Sequence, residues 1–107
     1  MTVPYATEQP TRDEVDAQPG LAVLEFGTNW CGICKAAQPA ITEALADAPA
    51  GLQHRKVEDG SGRPLGRSFG IKLWPTLIFL RDGKEVARVV RPTSAQDVRT
   101  ALAQLTG

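Results

Sequence analysis

An α/β fold built on a central mixed β-sheet is what the order of patterns along this 107-residue chain predicts. Strand-like and helix-like stretches alternate, ending in a hairpin and a last helix. The run Leu21-Ala22-Val23-Leu24-Glu25-Phe26 is apolar on both faces except at Glu25, as a central strand covered on both sides would be. Further on, Arg81-Asp82-Gly83-Lys84 reads as a two-residue hairpin, because Asp-Gly supplies the positive φ angles of a type I′ turn. One domain spanning residues 1–107, with helices on both faces of the sheet, accommodates all of these elements, and the chain is long enough to bury a core without metals.

Each element has its own warrant. Residues 3–6 read as a short strand. Thr11-Arg12-Asp13-Glu14 has the capping-box form, with Glu14 three residues after Thr11, and Pro19-Gly20 stops the helix that begins there. Ala36, Ala37, Ile41, Ala44 and Leu45 recur at helical spacing until residues 47–51 break the pattern. Pro39 lies inside this helix and is expected to kink it, tilting its first turn away from the sheet. Residues 52–57 are weakly strand-like, 59–62 form a loop, and 63–69 make a short helix with Pro64 in its first turn and Gly70 at its end. Pro75 heads an apolar strand, a place where its missing N–H costs no ladder bond. Val86, Arg88 and Val90 alternate with Ala87, Val89 and Arg91, which predicts an edge strand. Thr93 or Ser94 caps a last helix whose Ala95, Val98, Ala101, Leu102 and Leu105 line one face.

Twelve basic and twelve acidic side chains cancel, and no basic block is interleaved with aromatics. Nucleic acid is therefore not an expected partner. The N-terminus lacks a basic region followed by an apolar one, and no apolar run reaches the roughly 18 residues of a membrane span. The cytoplasm is the expected location, with no membrane contact.

The chemistry is concentrated in Trp30-Cys31-Gly32-Ile33-Cys34-Lys35, which holds both cysteines. The pair falls where a strand hands over to a helix N-terminus. Unpaired N–H groups and the helix dipole there stabilise a thiolate, so Cys31 is expected to be the attacking thiol and Cys34, one turn later, the resolving one. Other readings stay open at this point. Half a zinc site has the same spacing, but the only other soft ligand is His54, so a metal would need dimerisation or carboxylates. A structural disulfide closing so short a loop would constrain the unfolded chain little. Two inert buried cysteines would sit poorly at a helix start. His54, alone on a marginal strand, is expected to be solvated and without a role. Taken by itself, Glu25 reads as the exposed end of its strand.

Trp30-Cys31-Gly32-Ile33-Cys34-Lys35, then Pro39, then Trp74-Pro75-Thr76 ahead of an apolar strand and an Asp-Gly hairpin, together resemble a thioredoxin from about residue 21 to 105. The resemblance implies the thioredoxin fold and a cytoplasmic, monomeric protein-disulfide reductase. It uses no cofactor beyond its own Cys31–Cys34 disulfide and no metal, and a flavin- and NADPH-dependent reductase recharges it. It also implies that the Trp74-Pro75 bond is cis and that the Trp74 backbone pairs with substrate. Glu25 would lie buried beneath Cys34 as a proton relay, its pKa raised by desolvation, and Lys56 would pair with it. An isolated buried acid of this kind predicts that Glu25→Gln leaves stability unchanged or higher. Trp30, Gly32, Ile33, Trp74, Pro75, Val90 and Arg91 would frame the substrate groove.

Four positions depart from the family pattern. Ile33 replaces the usual proline between the cysteines, and its added N–H is expected to favour the Cys31 thiolate and make the pair somewhat less reducing. Gly27 stands in place of a tryptophan, Arg91 in place of a glycine, and Trp74 in place of a smaller residue. The last two alter the docking surface, so a thioredoxin-fold binding or chaperone-like module with little redox turnover is the alternative function. A third reading, an oxidase or isomerase, needs an oxidising compartment.

Overall fold

A computed structural model describes residues 3–107. In chain order its elements are α1 (Arg12–Ala17), β1 (Leu21–Gly27), α2 (Gly32–Leu45), β2 (Gln53–Glu58), α3 (Pro64–Ser68), β3 (Thr76–Arg81), β4 (Lys84–Val90) and α4 (Ala95–Thr106). The sheet order is β2-β1-β3-β4. β1 runs parallel to β2 and antiparallel to β3, and β3 is antiparallel to β4, so the sheet is mixed and β4 is an edge, as expected.

β1 shows why a strand without polar alternation belongs at the centre. Val23 enters one core with Ala37, Ile41 and Ala44 of α2, Leu77 and Phe79 of β3, and Val98, Leu102 and Leu105 of α4. Its neighbours Ala22, Leu24 and Phe26 point the opposite way, into a second core with Val15 of α1, Leu65 and Phe69 around α3, and Ile78 and Leu80 of β3. Period-two alternation thus feeds two apolar layers, and each fully buried Leu, Ile or Phe adds about 1.5–3 kcal/mol of transfer free energy.

The local signals act as the sequence predicts. Thr11 and Glu14 form both halves of the capping box. Ser94 caps α4 through the Asp97 N–H, while the Thr93 N–H goes to Asp97 Oδ2. Asp82 and Gly83 take φ of 51° and 81° in the β3–β4 turn. A register shift between Phe79 and Leu80 interrupts this hairpin. α2 continues through Pro39 as one 14-residue helix.

Residues 3–6 differ from expectation. Only Ala6 joins the sheet, bridging Val57 at the outer edge of β2, with its N–H on the Lys56 carbonyl and its carbonyl taking the Glu58 N–H. Pro4 has no N–H to offer a ladder. The Tyr5 N–H is instead donated to Asn29 Oδ1 at 2.7 Å.

Candidate active site

The chain leaves β1 at Gly27, turns through 28–30, and places Cys31 at the N-cap of α2. The Cys31 N–H is donated to the Thr28 carbonyl, and Cys31 Sγ accepts the Cys34 N–H at 3.2 Å. The donor reaching the sulfur is thus the third residue of the helix, as N-cap geometry favours, and not Ile33; this corrects the expectation placed on the Ile33 N–H. Both thiols are free, Cys31 partly exposed and Cys34 buried. Burial, followed by the hydrogen bond with Cys31, pushes the Cys34 thiol up to about 11. Its proton stays on at neutral pH unless something takes it.

Beneath Cys34 lies a connected polar network. Glu25 is 0% exposed, on the α2 face of β1, so its reading as an exposed strand end is overturned. The Tyr5 hydroxyl donates to Glu25 Oε2, and Gln38 Nε2 reaches the same oxygen at 2.9 Å, the Tyr5 hydroxyl at 3.3 Å and the Cys34 carbonyl at 2.9 Å. His54 Nε2 meets Glu25 Oε1 at 2.9 Å. Lys56, the strand neighbour of Glu25 on β2, sends its Nζ to Gln38 Oε1 at 2.7 Å and to the Val3 carbonyl.

Three expectations change here. Lys56 is near the acid but bonded to Gln38, because the amide lies between them; the direct basic partner of Glu25 is His54, contrary to its expected place in solvent. Desolvation does push the Glu25 carboxyl up. The bonds from His54, Tyr5 and Gln38, together with the Lys56 charge, outweigh it and hold the group below the usual carboxylate range rather than above it. Glu25 is therefore a proton acceptor at neutral pH. Lys56 is itself pulled down by burial, against the opposing charges of Glu25 and Cys34.

Around Cys31 the surface is apolar. Trp30 is 71% exposed, and Ile33, Leu73 and Val90 also show large apolar faces to solvent. A Cβ on Gly32 would meet nothing within 4 Å, so this side of the dithiol is open. The Trp74-Pro75 bond is cis. The Trp30 and Trp74 rings meet edge to face with centroids 5.7 Å apart, and Trp74 Nε1 is anchored on Asp59 Oδ2 at 2.8 Å. Arg91 adopts φ 51°, a conformation that explains a glycine at the family position, and its Nε donates to the Trp74 carbonyl at 2.9 Å. The structure thus gathers Trp30, Gly32, Ile33, Trp74, Pro75, Val90 and Arg91 at one end of the sheet, adding Leu73. Among the described residues no group of three or more His, Cys, Asp or Glu side chains is placed to hold a metal ion.

Residues 2–104 match the family described as Thioredoxin. The chain belongs to the thioredoxin family. A thioredoxin of Chlamydia muridarum is 39% identical over 71 residues, covering 66% of this chain and 69% of that one. The reduced form of thioredoxin 2 from Pseudomonas aeruginosa superposes with a TM-score of 0.88 at 56% identity, over 100% of this chain and 98% of its own. A thioredoxin from Nicotiana alata superposes at 0.69 with 26% identity, over 87% and 79% of the two chains. The fold and the paired cysteines place this chain with the thioredoxin disulfide reductases, and it is a thiol–disulfide oxidoreductase with a dithiol site. Thioredoxins act on protein disulfides and are recharged by a thioredoxin reductase. Among the described residues no helix is long and apolar enough to cross a membrane.

Tyr5 and Gln38 were missed as site residues. Gln38 had a signal: it lies four residues after Cys34 and three before Ile41, a polar side chain on the buried stripe of α2. For Tyr5 the signal was a missing one, the gap left at Gly27.

Proposed function

We propose that the chain reduces protein disulfides in two exchanges. The Cys31 thiolate attacks one substrate sulfur, forming a mixed disulfide and releasing the other sulfur as a thiolate. Cys34 then loses its proton and attacks Cys31 Sγ, closing the Cys31–Cys34 disulfide and expelling the second substrate thiolate. Two electrons pass from the dithiol to the substrate, and no cofactor takes part. The observation that carries this reading is the asymmetry of the pair, one sulfur partly open at a helix N-cap and the other buried over a carboxylate.

Trp30, Ile33, Trp74, Pro75, Val90 and Arg91 line the groove for an extended substrate segment, with Gly32 leaving access to the sulfur. A flavin- and NADPH-dependent reductase resets the dithiol, and the protein works as a cytoplasmic monomer without nucleic acid or membrane partners. The balanced charge and the family membership support these assignments.

Insulin reduction driven by dithiothreitol tests the proposal. Cys31→Ser should abolish acceleration, and Cys34→Ser should accumulate a mixed disulfide on Cys31. Failure of the parent protein to accelerate the reaction would favour a docking module instead.

A further inference from the structure

We propose that Tyr5 is a catalytic residue of the resolving step, its hydroxyl carrying the Cys34 proton to Glu25. The inference rests on the two-step reading above and assigns the proton path within it.

The space at the end of β1 is shared by three groups. A Cβ built on Gly27 would lie 2.7 Å from Tyr5 Cζ, 2.8 Å from Tyr5 Oη and 2.8 Å from Cys34 Sγ. Any side chain at this position would push the phenol and the thiol apart, so glycine here is what lets Tyr5 and Cys34 pack together. On its other side the same hydroxyl donates to Glu25 Oε2. The phenol thus adjoins the resolving thiol and is bonded to the carboxylate.

The bridge is held in place. Tyr5 is 5% exposed. Its backbone is gripped by Asn29 at both ends, N–H to Oδ1 at 2.7 Å and carbonyl from Nδ2 at 3.2 Å, and the next residue is pinned to β2. Lys56 Nζ lies 4.6 Å from the ring centroid, and Gln38 Nε2 reaches both the hydroxyl and the carboxylate. The titratable groups facing the bridge are Glu25 from β1, His54 and Lys56 from β2, and Cys34 from α2, with neutral Gln38 between them.

The chemistry follows from their acidities. Burial and the Glu25 charge make Tyr5 far too weak an acid to ionise, so it relays a proton without ever becoming charged. As Cys34 Sγ closes on Cys31 Sγ, its S–H proton moves to Tyr5 Oη while the Tyr5 O–H proton moves to Glu25 Oε2. The new S–S bond uses the Cys34 electron pair, and the electrons of the broken Cys31–substrate bond leave on the substrate sulfur, which takes a proton from water. Glu25, now neutral, returns its proton through His54, which touches the other carboxylate oxygen and is 30% exposed.

The test separates the two steps. The chain is loaded at Cys31 with 5-thio-2-nitrobenzoate by reaction with Ellman's reagent, and release of the coloured thiolate by Cys34 is followed by stopped flow in H2O–D2O mixtures. In the parent protein a rate that bows downward against deuterium fraction, as two protons in flight require, is expected; a straight line would overturn the relay. This arm needs no variant. In Tyr5→Phe, which keeps the ring, the loading rate should stay within about twofold while release slows by about tenfold or more at neutral pH, the gap closing toward the Cys34 pKa. Unchanged release also overturns the proposal. Loss of loading in Tyr5→Phe would place the hydroxyl in the first exchange and overturn the proposal too, whereas loading that persists in Cys31→Ser would count against Cys31 as the attacking thiol.

Discussion

His54 Nε2 lies 2.9 Å from Glu25 Oε1, so the one histidine of the chain is hydrogen-bonded to its most deeply buried acid. A carboxylate without exposure is tolerated only when donors replace water. Here His54, Tyr5 and Gln38 do so.

A pH dependence follows. Glu25 titrates lower in the folded protein than in the unfolded chain, so its ionised form stabilises the fold above the unfolded value of about 4.3, and that contribution is lost as pH falls through the folded value. His54→Ala removes one donor and raises the folded value. Urea unfolding from neutral pH downward should show the variant about 1 kcal/mol less stable at neutrality and losing its acid-sensitive stability earlier in the titration. Superposable profiles would show that His54 does not hold the carboxylate.

Glu25→Gln now carries the opposite sign from the expectation for an isolated acid. Glutamine offers one oxygen and one NH2 where the carboxylate offers two oxygens, so the donors on one side, either the Tyr5 hydroxyl with Gln38 Nε2 or His54 Nε2, would face another donor. Leaving donors unpaired in a dry site costs about 2–3 kcal/mol. Denaturant midpoints should fall accordingly, and release of a mixed disulfide should slow as well. Equal or greater stability would mean that the acid is not held as a carboxylate.

How much of this could be read from the chain alone is clear from these residues. The apolar run of β1, the Asp82-Gly83 turn, the Thr11 capping box and the Cys31-to-Cys34 spacing are local patterns, and each forms where the sequence predicts it. The network is not local. Tyr5 and His54 reach Glu25 across 20 and 29 residues, brought together by the β1–β2 register, the Ala6 bridge and the Asn29 hold on Tyr5. A lone histidine on a strand with few apolar residues carries no mark of its partner. Gly27 did carry one: a departure from the family pattern at a wall of the site means that something else fills the wall.

Arg91→Gly tests the docking surface. The arginine holds a left-handed backbone conformation and occupies the Trp74 carbonyl, a group expected to pair with substrate backbone. Glycine relieves a strain of about 1–2 kcal/mol and frees that acceptor. The apparent KM for a protein disulfide should drop with kcat unchanged, and the folded state should not lose stability. A higher KM would show that the guanidinium itself contacts substrate.

The bridge from Ala6 to Val57 holds Tyr5 in the reaction centre, and this matters for anyone trimming or fusing the chain. A shortened form beginning beyond Ala6 is expected to retain both sulfurs and to react with thiol reagents at Cys31, with lower stability because Glu25 and Lys56 lose partners there; equilibrium unfolding and titration with Ellman's reagent check both. Lacking the phenol, it would release its targets slowly. Such a truncation would work as a substrate trap with both cysteines intact, catching partners in a linkage that the untouched Cys34 can still be made to open by raising the pH.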